Sequence, residues 1–378
     1  MRLWITETLE EGRFGGPLAR ACARAWAPIS ARALARRMDV PAGVRVVAVG
    51  GATLGGSGKT PLAIASAREI ASAGARVVLV GHAYRARPGR ARFVGDDDAL
   101  ADVGDEALAA AWSLSGSNAK VAVAPERAAA VAWAARHADV LVLDGVAQLA
   151  PPARATMALI AVDARQPWGR ARSVAPAGDL RAPVSALVGA CDGVVAMGDF
   201  GVEAPGCGDD IAGHATTRGI AHLRRPVWCA RVVSAGARIG PDLIPWEELA
   251  QKRVGLLCAL ARPERLIGML AARSVAPACV LRAPDHGPCS NLLFERARRA
   301  GDDLGIDVWL ATPKCAPHFH VARTDGAPRR GKAPPRPLER ARASVGGRVA
   351  LRAPLGVIEY ALALPDDLRE RLRRLAAA

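Results

Sequence analysis

The chain has 378 residues, 51% of them apolar and 23% charged, and carries a formal net charge of +15. That length exceeds one ordinary core and points to two domains of about 150 to 200 residues each. No stretch approaches the run of about 18 apolar residues that would span a bilayer, and the charge directs attention to nucleic acid, an anionic membrane surface or a phosphorylated substrate.

The opening residues, MRLWITETLEEGRFGG, place acids and glycines where a secretion signal needs an unbroken apolar core, so secretion is not expected. Residues 17–37 contain no acid, and Leu18, Cys22, Trp26 and Ile29 recur at helical spacing among Arg20, Arg24 and Arg32. Such a helix can lie in a headgroup layer, or it can pack on its own domain with a basic solvent face; Pro28 interrupts or kinks the pattern. From residue 45 short apolar runs alternate with amphipathic ones: RVVAVG, ARVVLV, KVAVA, DVLVLD, MALIAVD and GVVAM, with helix-like stretches between. Continuous apolar strands alternating with helices predict a mostly parallel sheet covered on both faces.

Between RVVAVG and AIASAREIA stands GGATLGGSGKTPL. Glycines at a strand-to-helix turn let backbone N–H groups converge on an anion, so Gly55, Gly56, Ser57, Gly58, Lys59 and Thr60 form a candidate phosphate cradle. Lys59 is placed to reach the β- and γ-phosphates, and the Thr60 hydroxyl to hold Mg²⁺. The strict pattern wants glycine at position 53, where this chain has Thr53. A P-loop enzyme also needs a carboxylate for the metal, and DVLVLD offers Asp144 at a strand end, although aspartates close strands for turn reasons as well.

A Gly-rich break near residue 210 precedes a second α/β pattern running from PVWCARVV to VIEYALAL and the helix-like PDDLRERLRRLAAA. The expected division is therefore a basic amphipathic segment over 1–40, a P-loop nucleotide-binding domain over 41–210 and a smaller α/β domain over 211–378. Eight cysteines without a CxxC pair speak for a reduced, intracellular protein with neither disulfide frame nor zinc site. The basic run 323–352 has no aromatic residue among its cations and reads as a solvated loop, so nucleic acid is not expected as a partner.

The order of LGGSGKTP, GHAYRARPGR, VGDEAL, APERAAAV, VLDGVAQL, PAGDLRAP, ARPERL, PDHGP and TPKCA over residues 44–316 resembles the tetraacyldisaccharide 4'-kinases of lipid A synthesis. The resemblance implies a P-loop NTPase-like domain joined by a short strand linker to the smaller α/β domain. It implies transfer of the ATP γ-phosphoryl group to the 4'-hydroxyl of a tetraacylated glucosamine disaccharide 1-phosphate, with Mg²⁺. By the same resemblance Asp105 is the catalytic aspartate, His286 the histidine paired with it and Glu106 a carboxylate near the metal. Lys59 and Arg181 supply charge to the transferring group, and Lys314 matches the lysine of a TEKDA-like motif. An acceptor with four acyl chains must be met at a bilayer, which turns residues 17–37 into an interfacial anchor on the cytoplasmic face of the bacterial inner membrane, with the protein peripheral and monomeric.

The chain departs from the family's pattern at Gly145, where a second aspartate is expected, and at Leu149, His82, Ala182, Pro313 and Cys315. Two other readings therefore stay open: a nucleotide-binding homologue impaired in catalysis, and a P-loop kinase of a different, soluble small molecule.

Overall fold

The computed structural model describes residues 8–81, 83, 86–198, 220, 223–259, 263–283, 291–319 and 351–377. His82, His286 and the basic run up to residue 350 lie outside the described residues. The chain forms two compact units: residues 1–82, 116–232 and 362–378 make the first, and 83–115 with 233–361 the second. The division expected near residue 210 is thus drawn differently. Segment 83–115 belongs with the later half of the chain and 362–378 with the earlier half, because each is assigned by the surface on which it packs and not by its place in the sequence.

In the first unit six parallel strands lie in the spatial order Gly193–Gly198, Met157–Asp163, Arg45–Gly51, Val140–Asp144, Val77–Val80 and Ala119–Val123. Their residues are almost all buried, which is why they read as unbroken apolar runs and not as alternating ones. MALIAVD is a strand over the same residues that the sequence suggests. Helix Lys59–Ser72 covers the sheet with Leu62, Ala63, Ala67 and Ile70 buried, and helix Asp366–Ala377 packs against it. Leu368 and Leu372 are fully buried in that contact, while Arg369 and Arg373 pair with Glu69 at 3.3 and 2.8 Å.

Helix Pro17–Arg32 runs continuously through Pro28. It seats a small-residue face on the first unit: Ala23 is buried in a core cluster, with Ala19 and Ala27 packed against it. The face bearing Leu18, Trp26 and Ile29 is left exposed, at 79%, 48% and 51%. No helix among the described residues is long and apolar enough to cross a membrane.

Strand Val227–Ile239 leads out of the first unit: residues 227–231 pair with Gly193–Gly198, and 236–239 form a hairpin with Asp242–Pro245. The second unit holds a parallel ladder in the order Cys279–Arg282, Val254–Cys258, Val308–Ala311 and Leu355–Ala363. Its core gathers around Trp309, Leu249, Leu256, Leu257 and Leu310, all at 1% exposure or less. Helix Asp105–Leu114 and the short helix Ala316–Phe319 pack together in this unit.

Candidate functional site

The strand Arg45–Gly51 lies between two parallel neighbours, and residues 52–58 carry it into helix Lys59–Ser72. Gly58 closes the loop in the left-handed conformation, φ +81°, and a Cβ there would stand 2.8 Å from Met197 Cγ, so both conformation and space demand glycine. Thr53 fits where the strict pattern has glycine because its Oγ1 donates to the Gly55 carbonyl at 2.7 Å and ties the loop internally. The loop is also held from outside. Arg181 Nε donates to the Thr53 carbonyl at 2.8 Å and Nη2 to the Leu54 carbonyl at 3.1 Å, and the Arg181 and Leu54 N–H groups bond to the Ala52 and Asp179 carbonyls, both at 2.9 Å. In these contacts Arg181 acts on the loop's backbone.

Thr60 Oγ1 donates to Asp144 Oδ2 at 2.7 Å. Asp144 ends the strand paired with Arg45–Gly51, opposite Val49, and is 3% exposed. Two hard oxygen donors at the end of a parallel strand suit Mg²⁺, for which Thr60 Oγ1 and Asp144 Oδ2 are the candidate ligands. No group of three or more acids, histidines or cysteines placed to hold a metal occurs among the described residues. Gly145, in place of the family's second aspartate, has φ +76°. A Cβ on it would lie 3.6 Å from Arg127 Nη1 and 3.8 Å from Lys59 Cε, so the position adjoins both cations. Arg127 begins helix Arg127–Ala134 and lies within the motif APERAAAV, whose spacing assigns no role to it. Gln148 is structural: Nε2 donates to the Ala190 carbonyl at 3.0 Å, and Oε1 accepts from the N–H groups of Leu149 and Ala155 at 2.9 and 2.8 Å. Leu149 and Ala182 are buried packing residues.

The second unit brings the acid pair together with the TPKCAPHF turn. Asp105 is the first residue of helix Asp105–Leu114, 3% exposed, and its Oδ1 accepts from the Glu106 N–H at 2.9 Å. Its Oδ2 stands 3.3 Å from His318 Nε2 and 4.0 Å from Lys314 Nζ, and Glu106 Oε1 is 3.7 Å from the same ammonium. Lys314, matched by the resemblance only to the lysine of a TEKDA-like motif, therefore falls beside both acids. His318, which falls in none of the motifs that carry the resemblance, is buried against Asp105; the 213 residues between them give no local signal. Its proposed counterpart His286 lies outside the described residues.

Cys315 sits on the same turn. A hydrogen bond from the Cys258 thiol, together with Thr312, the Ala259 N–H at 3.2 Å and the nearby His318, draws its thiol down to about 6 against the opposing effect of burial. Burial first, and the Cys315 charge second, push Tyr360 up to about 12. In the first unit burial raises the Asp179 carboxyl, and its Oδ1 has no hydrogen-bond partner.

A glycine loop opening a helix at the end of a parallel sheet, with its threonine bonded to a strand-end aspartate, is the construction of the P-loop nucleotide-binding class. The family model for tetraacyldisaccharide-1-P 4'-kinases matches residues 18–325. A tetraacyldisaccharide 4'-kinase of Nitrobacter winogradskyi is 36% identical over 74% of this chain and 76% of its own length. Another, from Methylobacterium sp. strain 4-46, is 34% identical over 75% and 78%. The ATP complex of LpxK from Aquifex aeolicus, a crystal structure, shares the fold, with TM-score 0.60 at 15% identity over 95% of this chain and 98% of that one. The chain belongs to the tetraacyldisaccharide 4'-kinase family.

Proposed function

We propose that the protein transfers the γ-phosphoryl group of ATP to the 4'-hydroxyl of a tetraacylated glucosamine disaccharide 1-phosphate. The observation that carries the reading is the 2.7 Å bond between Thr60 and Asp144 at the foot of the Gly55–Thr60 loop, in a chain of this family. Backbone N–H groups of Gly55, Gly56, Ser57 and Gly58 bind the phosphates, and Lys59 neutralises the β- and γ-oxygens. Arg181 keeps the loop in shape through the Thr53 and Leu54 carbonyls and adds positive charge beside it. Thr60 and Asp144 would hold Mg²⁺, which when bound supplies charge neutralisation at the phosphate oxygens.

In the transfer the 4'-oxygen bonds to the γ-phosphorus as the bond to the bridging β,γ-oxygen breaks. ADP leaves, and the hydroxyl proton passes to Asp105. Phosphoryl transfer depends chiefly on position and charge, so Lys59 carries more of the rate than the base.

The acceptor is met at the cytoplasmic face of the inner membrane, where the protein binds peripherally. Helix Pro17–Arg32 supports this reading: it packs through alanines and leaves Leu18, Trp26 and Ile29 outside among arginines. Radiolabelled transfer from ATP to the disaccharide in detergent micelles tests the assignment. Wild-type protein is expected to label the lipid, and Lys59→Ala and Asp105→Ala to lose about 10²-fold or more. Full activity in either variant removes that residue's role. Wild-type protein that binds ATP yet never labels lipid favours the catalytically impaired homologue, for which the missing carboxylate at Gly145 is the specific observation.

A further inference from the structure

We propose that His318 is the positioning residue of the Asp105 carboxylate, a role that no sequence motif assigns to it. The inference rests on Asp105 being the group that receives the hydroxyl proton.

An ionised carboxylate only accepts, so the 3.3 Å approach of His318 Nε2 to Asp105 Oδ2 places the ring proton on Nε2 and makes the imidazole the donor. The other oxygen, Oδ1, accepts the Glu106 N–H at 2.9 Å. A donor on each oxygen fixes the plane of the carboxylate about its terminal torsion, which otherwise is broad and nearly two-fold. A base held in one plane presents the same lone pair to each incoming hydroxyl, and misplacement of about 1 Å can cost about 10²-fold in rate.

The imidazole is itself rigidly mounted. Its side chain is fully buried. The turn that bears it is closed by Cys315 N–H to the Thr312 carbonyl at 2.9 Å, Ala316 N–H to the same carbonyl at 2.8 Å and His318 N–H to the Cys315 carbonyl at 3.0 Å. The Ala259 N–H reaches Cys315 Sγ at 3.2 Å and pins the turn to the end of strand Val254–Cys258. The same turn carries Lys314, whose ammonium is 4.0 Å from Asp105 Oδ2 and 3.7 Å from Glu106 Oε1. At those distances Lys314 contributes charge without fixing an angle. Of the two, the histidine alone is within hydrogen-bond reach of Oδ2.

The test pairs His318→Phe, which keeps a planar ring without the donor, with His318→Gln, whose amide can restore an N–H near the position of Nε2. Transfer to the disaccharide in micelles is measured over both substrates. The phenylalanine variant is expected to lose about 10- to 100-fold in kcat with the KM for ATP unchanged, and the glutamine variant to regain most of that loss. Equal activity in all three proteins overturns the proposal, as does equal loss in both variants, which marks packing alone. Asp105→Asn is run alongside: if it keeps full activity the base assignment itself fails, whereas if it is impaired, adding His318→Phe should cost nothing more. Should the phenylalanine variant not fold, ring-nitrogen NMR of His318 in wild type and Asp105→Asn decides. A downfield Nε2 proton that shifts with the Asp105 substitution supports the contact, and an unchanged signal rejects it.

Discussion

Asp179 shows how one side chain can work against the fold that contains it. Its backbone carbonyl braces Leu54 of the phosphate loop, while its carboxyl is buried and Oδ1 is left without a partner. Burial raises the group above its ordinary value of 3.8. A carboxyl raised on folding contributes stability that is present below the unfolded value and is lost as the pH climbs through the folded one. Asp179→Asn should therefore raise the thermal midpoint at neutral pH, with the gain shrinking as the pH falls and vanishing only at about pH 2 to 3, below the unfolded value, where the carboxyl is protonated in both states. Thermal melts of both proteins at the two pH values check this, and an equal gain at each would reject it. At this scale the sequence is most legible where chemistry is local: Lys59, Thr60 and Asp144 stand out from glycine spacing and a strand end. Asp105 with His318 is legible only in three dimensions, because nothing in TPKCAPHF indicates which helix the imidazole will meet. Arg127 lies within a quoted motif, yet its proximity to Lys59 depends on a register between strands that no motif records.

At the scale of elements, the parallel strands were readable because burial on both faces leaves unbroken apolar runs, MALIAVD among them. The helices were readable as helices but not as partners. An amphipathic stretch announces that one face will be buried and is silent about what will bury it. Helix Asp366–Ala377 is the clearest case: its sequence follows the second unit, yet Leu368 and Leu372 pack in the first, beside helix Lys59–Ser72. Ending the chain at residue 364 should remove two buried leucines and the Glu69 pairings, a loss of about 3 to 6 kcal/mol on hydrophobic burial alone. Chemical denaturation followed by Trp fluorescence, with ATP affinity measured in parallel, should show a lower midpoint. A truncated protein as stable as the full chain would show that this contact is incidental. Helix Pro17–Arg32 gives the converse lesson, since its conspicuous stripe is the face that stays outside and its unremarkable alanines make the contact.

For the molecule as a whole, a net charge of +15 sets behaviour that no single residue does. Long-range attraction should bring the protein to anionic vesicles, and it should fade with salt as the screening length falls from about 10 Å at 0.1 M to about 3 Å at 1 M. The exposed apolar stripe should add a component that salt does not remove. Flotation with phosphatidylglycerol-containing vesicles is expected to show binding that weakens but persists at high salt. Leu18→Ser, Trp26→Ser and Ile29→Ser combined should abolish the persistent part. Binding that ignores both salt and the triple substitution would remove the interfacial role of the helix.

The two units are threaded through each other along the chain, since 83–115 and 233–361 interrupt the segments of the first. A ribosome must finish the whole of the second unit before it makes the helix that covers Lys59–Ser72. During synthesis the nucleotide-binding half therefore waits, its Leu62 and Ile70 helix lacking one neighbour, until that covering helix emerges. A chaperone or protease acting on the nascent chain meets the first unit with the surface that will receive Leu368 and Leu372 still uncovered.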